Sequence, residues 1–440
     1  SSHNSLNNNS PFILFFDNPS VEEWKRIQKS VFSFGIALFV VVNRESSGTL
    51  EIHHGFSLSK DRTLELLDLE ENCLGIENFF RQDLWYKNIE KYVVNKKRVD
   101  VFLLKNIIDA RRILIAPDGL KLLPQIANRL IGRLLFARYL IDREVKLSGQ
   151  NFIPQGDKES RRKTLNAIIL DKNKLYSFFR YLIDRFEGEM FPIEQCAYEN
   201  KLHKEESLVS SSHLEVLHNL FCCSEFFADN NTGLYNGYMI QPSLFDTYDF
   251  EVIPVEFISN VYQNFIEDKI QTLKQLSKQK EIKAYYTPPF LVDFVLSKTV
   301  EQKLKNSTTP SCKTLDPSCG SGIFLVETIR KLVEKALKIS SVQKLDESFL
   351  WSIVKDNIFG FDIDEDAIEI TTFSIYITLL DYKTPKEIES FKFQKLRNEN
   401  LFAGQNADFF NDCHPFFSKY QNVDCIIGNP PWGKVQTSPY

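Results

Sequence analysis

One stretch narrows the choice of fold more than any other: "CKTLDPSCGSGIFLVETIRKLVEKAL", residues 312–337. It reads as a short apolar strand, a turn holding two glycines, and a helix with Phe324, Leu325, Thr328, Ile329 and Leu332 along one side. A strand, a glycine turn and a helix form the unit by which a doubly wound sheet brings backbone close to a nucleotide-like ligand. Gly320 and Gly322 allow that approach because they carry no Cβ. The letters are DPxCGSG, neither the dinucleotide pattern GxGxxG nor the phosphate loop, and no lysine follows the second glycine. Asp316 beside the turn would repel a pyrophosphate and suit a ligand carrying positive charge. S-adenosylmethionine, an amino acid joined to a sulfonium, has that sign.

Similar units follow. In "NIFGFDIDEDAIEITTFSIYITLL", residues 357–361 predict a second strand with Asp362 at its end, where a Rossmann sheet places an acid on ribose hydroxyls. Asp364 is the better cap for a helix beginning near Glu365, which leaves Asp362 for a ligand. The segment before it, "DESFLWSIVKD", predicts a helix of its own. "QKLRNENLF" predicts a third strand with Asn400 at its end, a candidate contact to an adenine ring. "VDCIIGNPPW" predicts a fourth, a buried strand over 423–427 stopped by Gly428. Upstream, "KAYYTPPFLVDFVLSKTV" is a loop entering a helix, with Thr287 as cap and Pro288 at the first helical position. A helix start also holds carboxylates well.

The chain has 440 residues, which implies two or three domains, and 43% of them are hydrophobic, which excludes a disordered chain. Residues 1–11 read as a polar tail. Residues 12–115 predict a small α/β domain: a strand "FILFFD", a helix capped by Ser20, a hairpin of "IALFVVVN" and "TLEIHHGF", and a strand "RVDVFLL". Residues 116–279 predict a helical domain, with "LPQIANRLIGRLLFARYLIDREV", "NKLYSFFRYLIDRF", "HLEVLHNLF" and "EVIPVEFISNVYQNFIEDKIQTL" as helices and "GDKESRRK" as a surface loop. Residues 280–440 hold the strand–loop–helix units. The net charge of −5 gives no global pull towards nucleic acid, so a DNA partner would need a local basic surface such as 95–98, 161–163 or 274–283. Eight cysteines without a CxxC pair, and seven histidines without HxxxH, offer no metal cluster. Neither a signal peptide nor a membrane span is expected, so the expected location is the cytoplasm.

Four stretches in order, "YYTPP", "DPSCGSGIF", "GFDIDEDAIE" and "NPPW", resemble the adenine-N6 DNA methyltransferases with the γ order of motifs. The helical stretches ahead of them are similar to those in large restriction-modification, type IIG and phage-defence methylases. The resemblance implies a class I, Rossmann-like sheet of order 3-2-1-4-5-7-6, of which this chain would supply four strands and then stop before the target-recognition domain. Tyr286, Thr287 and Pro288 would hold the methionine end of S-adenosylmethionine. Asp316, Cys319, Gly320 and Gly322 would line its methionine and sugar. Asp362 would take the ribose hydroxyls, with Ile363 beside it. Asn400, an amide where the family often has an acid, would face the adenine. Asn429, Pro430, Pro431 and Trp432 would be catalytic: the Asn429 side-chain oxygen and the Pro430 carbonyl would accept the two N–H groups of an adenine amine, and Trp432 would stack on the extruded base. Double-stranded DNA, and a specificity or nuclease subunit, are the implied partners, with no membrane.

Other readings compete. Protein-glutamine and RNA methyltransferases also carry NPP motifs, though they typically lack the "YYTPP" segment and the helical preface. A scaffold that binds DNA or a subunit without catalysis is a third. A nuclease in the amino-terminal region is disfavoured, because Glu23-Trp24-Lys25, the acid-x-Lys triplet, falls on a predicted helix.

Overall fold

The computed structural model describes residues 13–20, 23–24, 38–43, 49–58, 64–67, 99–147, 152–189, 192–222, 224–228, 235–240, 250, 257, 261, 287, 289–340, 345–404, 409, 414, 416 and 422–430. The chain divides into two compact units, residues 1–110 with 218–252, and residues 111–217 with 253–440. The bounds drawn above from composition, at 115/116 and 279/280, stay a proposal about domain organisation.

In chain order the elements are β1 (Ile13–Asp17), β2 (Leu38–Asn43), β3 (Thr49–Leu58), β4 (Leu64–Leu66), α1 (Val99–Ile115), α2 (Pro124–Asp142), α3 (Lys158–Leu170), α4 (Lys172–Phe186), β5 (Gln195–Tyr198) and β6 (Lys201–Lys204). There follow α5 (Glu205–Leu208), α6 (Ser211–Cys222), β7 (Ser224–Ala228), β8 (Tyr235–Ile240), α7 (Pro289–Lys298), α8 (Val300–Lys305), β9 (Thr314–Asp316), α9 (Ile323–Ser340) and α10 (Glu347–Asn357). The last are β10 (Ile358–Asp362), α11 (Glu365–Asp381), α12 (Pro385–Ile388), β11 (Leu401–Ala403) and β12 (Cys425–Ile426).

The first unit holds a sheet of order β1-β2-β3-β4, with β1 parallel to β2 and the other pairs antiparallel. The run Leu38–Val41 is buried at every position, as an inner strand covered on both faces requires. The hairpin predicted from "IALFVVVN" and "TLEIHHGF" is the β2–β3 pair. Ser20 and Glu23 form a reciprocal cap: Glu23 N–H donates to Ser20 Oγ (3.3 Å) and Ser20 N–H donates to Glu23 Oε2 (3.0 Å). Glu23 and Trp24 therefore open a helical turn, and Lys25 lies outside the described residues. The unit also contains the β7–β8 hairpin.

Two expectations are corrected here. "RVDVFLL" was expected as a strand and is the start of helix α1. Its buried residues Leu103, Ile107, Ala110 and Leu114 recur every three or four positions, a period visible only over a window longer than that segment. "GDKESRRK" was expected as a loop and holds the opening turns of α3, where the Asp157 carboxylate accepts from Ser160 N–H. Its polar residues make the outer face, while Arg161, Leu165, Ile168 and Ile169 are buried. In the same region β5 and β6 form a hairpin around Glu199 and Asn200, both at positive φ (48° and 62°), as a two-residue turn demands.

The second unit is built on a fully parallel sheet of order β11-β10-β9-β12. Alternation along β10 separates its faces. Phe359 and Phe361 join Leu315, Phe402 and Phe416 in one apolar cluster. Ile358 and Gly360 point the other way, and a Cβ on Gly360 would come within 2.9 Å of Leu325 of α9. That glycine lets helix and sheet close on each other. Helix α11 is buried at fourteen positions from Ala367 to Leu380. Its outer side meets α2, where Arg129 pairs with Glu369 (2.6 Å) and Phe136 meets Phe373 edge-on, while Tyr376 stacks flat at 4.1 Å on Phe393, which follows α12.

Candidate functional site: two turns at the carboxyl ends of neighbouring strands

The glycine turn leaves β9 and is fastened from several directions. Gly320 stands at φ 55° and Gly322 at φ 80°, conformations that side chains with a Cβ rarely adopt. Gly320 N–H donates to Asp362 Oδ2 (2.9 Å) and its carbonyl accepts from Thr371 Oγ1 (2.9 Å). Cys319 N–H donates to the Phe361 carbonyl (2.9 Å) and Ser318 N–H to Asp316 Oδ1 (3.0 Å). A Cβ on Gly322 would sit 2.8 Å from Thr371 Cγ2, whereas one on Gly320 would meet nothing within 4 Å. The turn is tight against α11 at its second glycine and open at its first.

Asp362 ends β10 next to this turn. Its other oxygen accepts from Asp364 N–H (2.9 Å), while Asp364 caps α11 through Asp366 N–H. Asp316 is 1% exposed. Burial pushes its carboxyl up to about 7; the Ser318 N–H opposes this and the Asp362 charge adds to it. Burial also raises Asp362, against the two N–H groups it accepts. Cys319 is buried and its thiol is held neutral, chiefly by burial. Ile363, by contrast, is 77% exposed, an apolar face beside the two carboxylates. Carboxylates, an open glycine and an exposed apolar side chain suit a ligand that is part cation and part flat ring; the donor set fits S-adenosylmethionine.

The second turn leaves β12, which lies beside β9 in register Cys425↔Thr314 and Ile426↔Leu315. The strand is shorter than the expected 423–427, and Ile426, expected in the interior, is 60% exposed because β12 is the last strand of the described sheet. Gly428 then passes against the first turn: a Cβ there would fall 2.5 Å from Asp316 Oδ1. The next residue, Asn429, is half-buried, and its Nδ2 donates to Thr287 Oγ1 at 3.1 Å, across 142 residues of sequence. Thr287 is buried and Pro430 is exposed. Tyr286, Pro288, Pro431 and Trp432 lie outside the described residues.

The structure thus brings together Thr287, Asp316, Cys319, Gly320, Gly322, Asp362 and Asn429. It sets Asn400 apart. Asn400 precedes β11 rather than ending it, since the chain turns at Asn398 with φ 60° and the strand starts at Leu401. The side chain is 1% exposed and donates to the carbonyls of Lys355 (3.0 Å) and Ile358 (2.9 Å), closing the end of α10. In this structure Asn400 packs against the end of α10 through its Nδ2, and the adenine contact expected of it stays a proposal. Sequence reasoning missed Thr371, which stands among other hydroxyl residues, Thr372, Ser374 and Thr378, on the same helix and carries no signal of its own. Among the described residues no group of three metal-ligating side chains occurs, and no helix is long and apolar enough to cross a membrane.

Comparison with known proteins falls on the same segments. The profile of the Eco57I restriction-modification methylase family matches residues 356–439, which span β10, β11, β12 and the Asn-Pro-Pro-Trp turn. The type II restriction enzyme and methyltransferase RM.Eco57I of Escherichia coli is 23% identical over 337 residues, 68% of this chain and 33% of that protein. The adenine-specific methyltransferase PglX of Streptomyces coelicolor is 25% identical over 199 residues, 39% of this chain and 16% of that protein. Among solved structures, the type IIL restriction-modification enzyme MmeI in complex with DNA superposes with a TM-score of 0.41 at 17% identity, over 74% of this chain and 43% of that one. The chain spans about a third of the length of RM.Eco57I. The resemblance read from four motifs is met by family and relatives alike: this chain is related to the adenine methyltransferases of restriction-modification systems.

Proposed function

We propose that the chain carries the cofactor-binding and catalytic turns of an S-adenosylmethionine-dependent DNA methyltransferase that modifies the N6 amine of an extruded adenine, within a restriction-modification or phage-defence system. The observation that carries this reading is the Asn429–Thr287 hydrogen bond, which brings the Asn-Pro-Pro-Trp turn and the Tyr-Thr-Pro-Pro segment to one point beside the glycine turn. The strand order β11-β10-β9-β12 supports a Rossmann-like class I sheet, with Asp316 and Asp362 on adjacent strands at its ligand edge.

The chemistry follows from the residues. The amine of adenine is a weak nucleophile because its lone pair is delocalised into the ring. Asn429 Oδ1 and the Pro430 carbonyl would accept its two N–H groups and favour a pyramidal nitrogen whose lone pair points at the incoming methyl. The proline ring of Pro430 fixes φ, so the second acceptor is set before substrate arrives. S-adenosylmethionine, when bound, supplies a methyl group on a cationic sulfur that leaves as a neutral thioether. Asp362 would hold the ribose hydroxyls while still accepting from Gly320 N–H, and Gly320 offers room for the methionine backbone. Trp432 would stack on the base.

Transfer of a tritiated methyl group by the full-length protein to unmodified duplex DNA, to RNA and to a release-factor protein tests this. Label in DNA recovered as N6-methyladenine is expected. Label confined to RNA or protein would replace the reading with its competitor.

A further inference from the structure

We infer that Thr287 is a positioning residue for the catalytic amide: its hydroxyl fixes which end of Asn429 faces the substrate. This rests on the functional reading above. A carboxamide has one acceptor end and one donor end of nearly equal shape. Turned wrongly, Asn429 would set N–H against the N–H of adenine and the clamp would lose an acceptor. The structure holds Nδ2 at 3.1 Å from Thr287 Oγ1, so the amide is turned with Oδ1 as its other end.

A hydroxyl alone does not settle that choice, since it carries one proton and can either donate or accept. Its direction depends on where that proton goes. Thr287 is 6% exposed and stands just ahead of α7, with little water to compete for it. A carboxylate received there, such as that of the methionine moiety, accepts a hydrogen bond from the hydroxyl. Oγ1 is then only an acceptor, and the single group it can take from Asn429 is Nδ2–H. Cofactor binding and amide orientation become one event: the clamp is set for adenine when the carboxylate is in place.

The test separates positioning from plain cofactor contact. In the full chain labelled with [15N]asparagine, the Asn429 side-chain signal is identified by its loss in Asn429→Ala. Its exchange with solvent is followed with and without S-adenosylhomocysteine, which has the carboxylate and no methyl to transfer. Slower exchange on adding the ligand is expected in the wild type and in Thr287→Ser, and no slowing in Thr287→Val, which keeps the shape. In full-length protein at saturating cofactor, kcat should fall about 10- to 100-fold in Thr287→Val, and Thr287→Ser should stay within about threefold of wild type. If Thr287→Val raises KM for the cofactor and leaves kcat intact, or if the ligand still slows Asn429 exchange in Thr287→Val as it does in the wild type, the positioning role is overturned. An Asn429→Ala protein with wild-type transfer would instead sink the functional reading, while the exchange measurement would still decide whether Thr287 orients the amide.

Discussion

The glycine turn after β9 and the amide turn after β12 lie on neighbouring strands, but different amounts of structure hold them. The first is fastened by Asp362, Thr371, Phe361 and its own Asp316, and pressed against α11 at Gly322. The second leaves a two-residue strand, passes Asp316 with no space to spare at Gly428, and meets Thr287 through an Asn429 side-chain hydrogen bond. A ligand cradle that is fixed many times over tolerates the loss of any one bond. The amide turn takes its geometry where Gly428 passes Asp316 and Asn429 meets Thr287, and substitutions there should act on rate more than on affinity.

The sharpest way to break that contrast is Asn429→Ala. Methyl transfer should fall about 100- to 1000-fold, while calorimetry of S-adenosylmethionine should give an affinity within about twofold of wild type. A parallel loss of affinity would mean that the two turns are one site energetically. Next in size is Asp362→Ala, which orphans Gly320 N–H and would remove the acceptor proposed for the ribose. Calorimetry should show binding weakened by about 10- to 100-fold, since a buried hydrogen bond to a charged group is worth about 1.5–3 kcal/mol. Equal affinity would remove Asp362 from the site.

Gly428→Ala should destabilise the fold by about 1–3 kcal/mol, read as a lower urea midpoint, because its methyl must displace the Asp316 carboxyl or the strand. An unchanged midpoint would show that the close approach relaxes without cost. The smallest effect is one of pH. Folded Asp316 keeps its proton up to about 7, well above an unfolded aspartate. Its contribution to stability is full at low pH and is lost as pH rises through about 7. A cationic ligand favours the ionised form, so affinity should rise a few-fold from pH 6 to pH 8, with proton uptake by buffer at the lower value. Asp316→Asn should flatten that slope.

The neighbourhood of residues 312–337 and 357–381 is legible in the sequence because local signals agree there. Branched apolar strands, positive-φ glycines, an Asp cap and a helical apolar face all point to the same elements. The parts misread are those where a longer range decides. "RVDVFLL" has a strand's letters, but its apolar positions continue down a helix to Leu114. "GDKESRRK" has a loop's letters, but it is the solvent face of a helix whose other side is buried. Asn400 sits two residues from an αL turn after which the strand starts at Leu401, so a residue expected at the end of a strand stands before one and in the interior. The bond between Thr287 and Asn429 joins residues far apart in the chain, and nothing local announces it.

Helix α11 has sheet on one side and helix α2 on the other, through Arg129 and Phe136. Anyone trimming this chain to a minimal catalytic module at residue 280 would strip that helix of its second wall. The excised piece would uncover Phe373, which shares its helix with Thr371, the side chain that braces the glycine turn. Engineering that transplants the catalytic sheet should therefore carry the helical preface along with it.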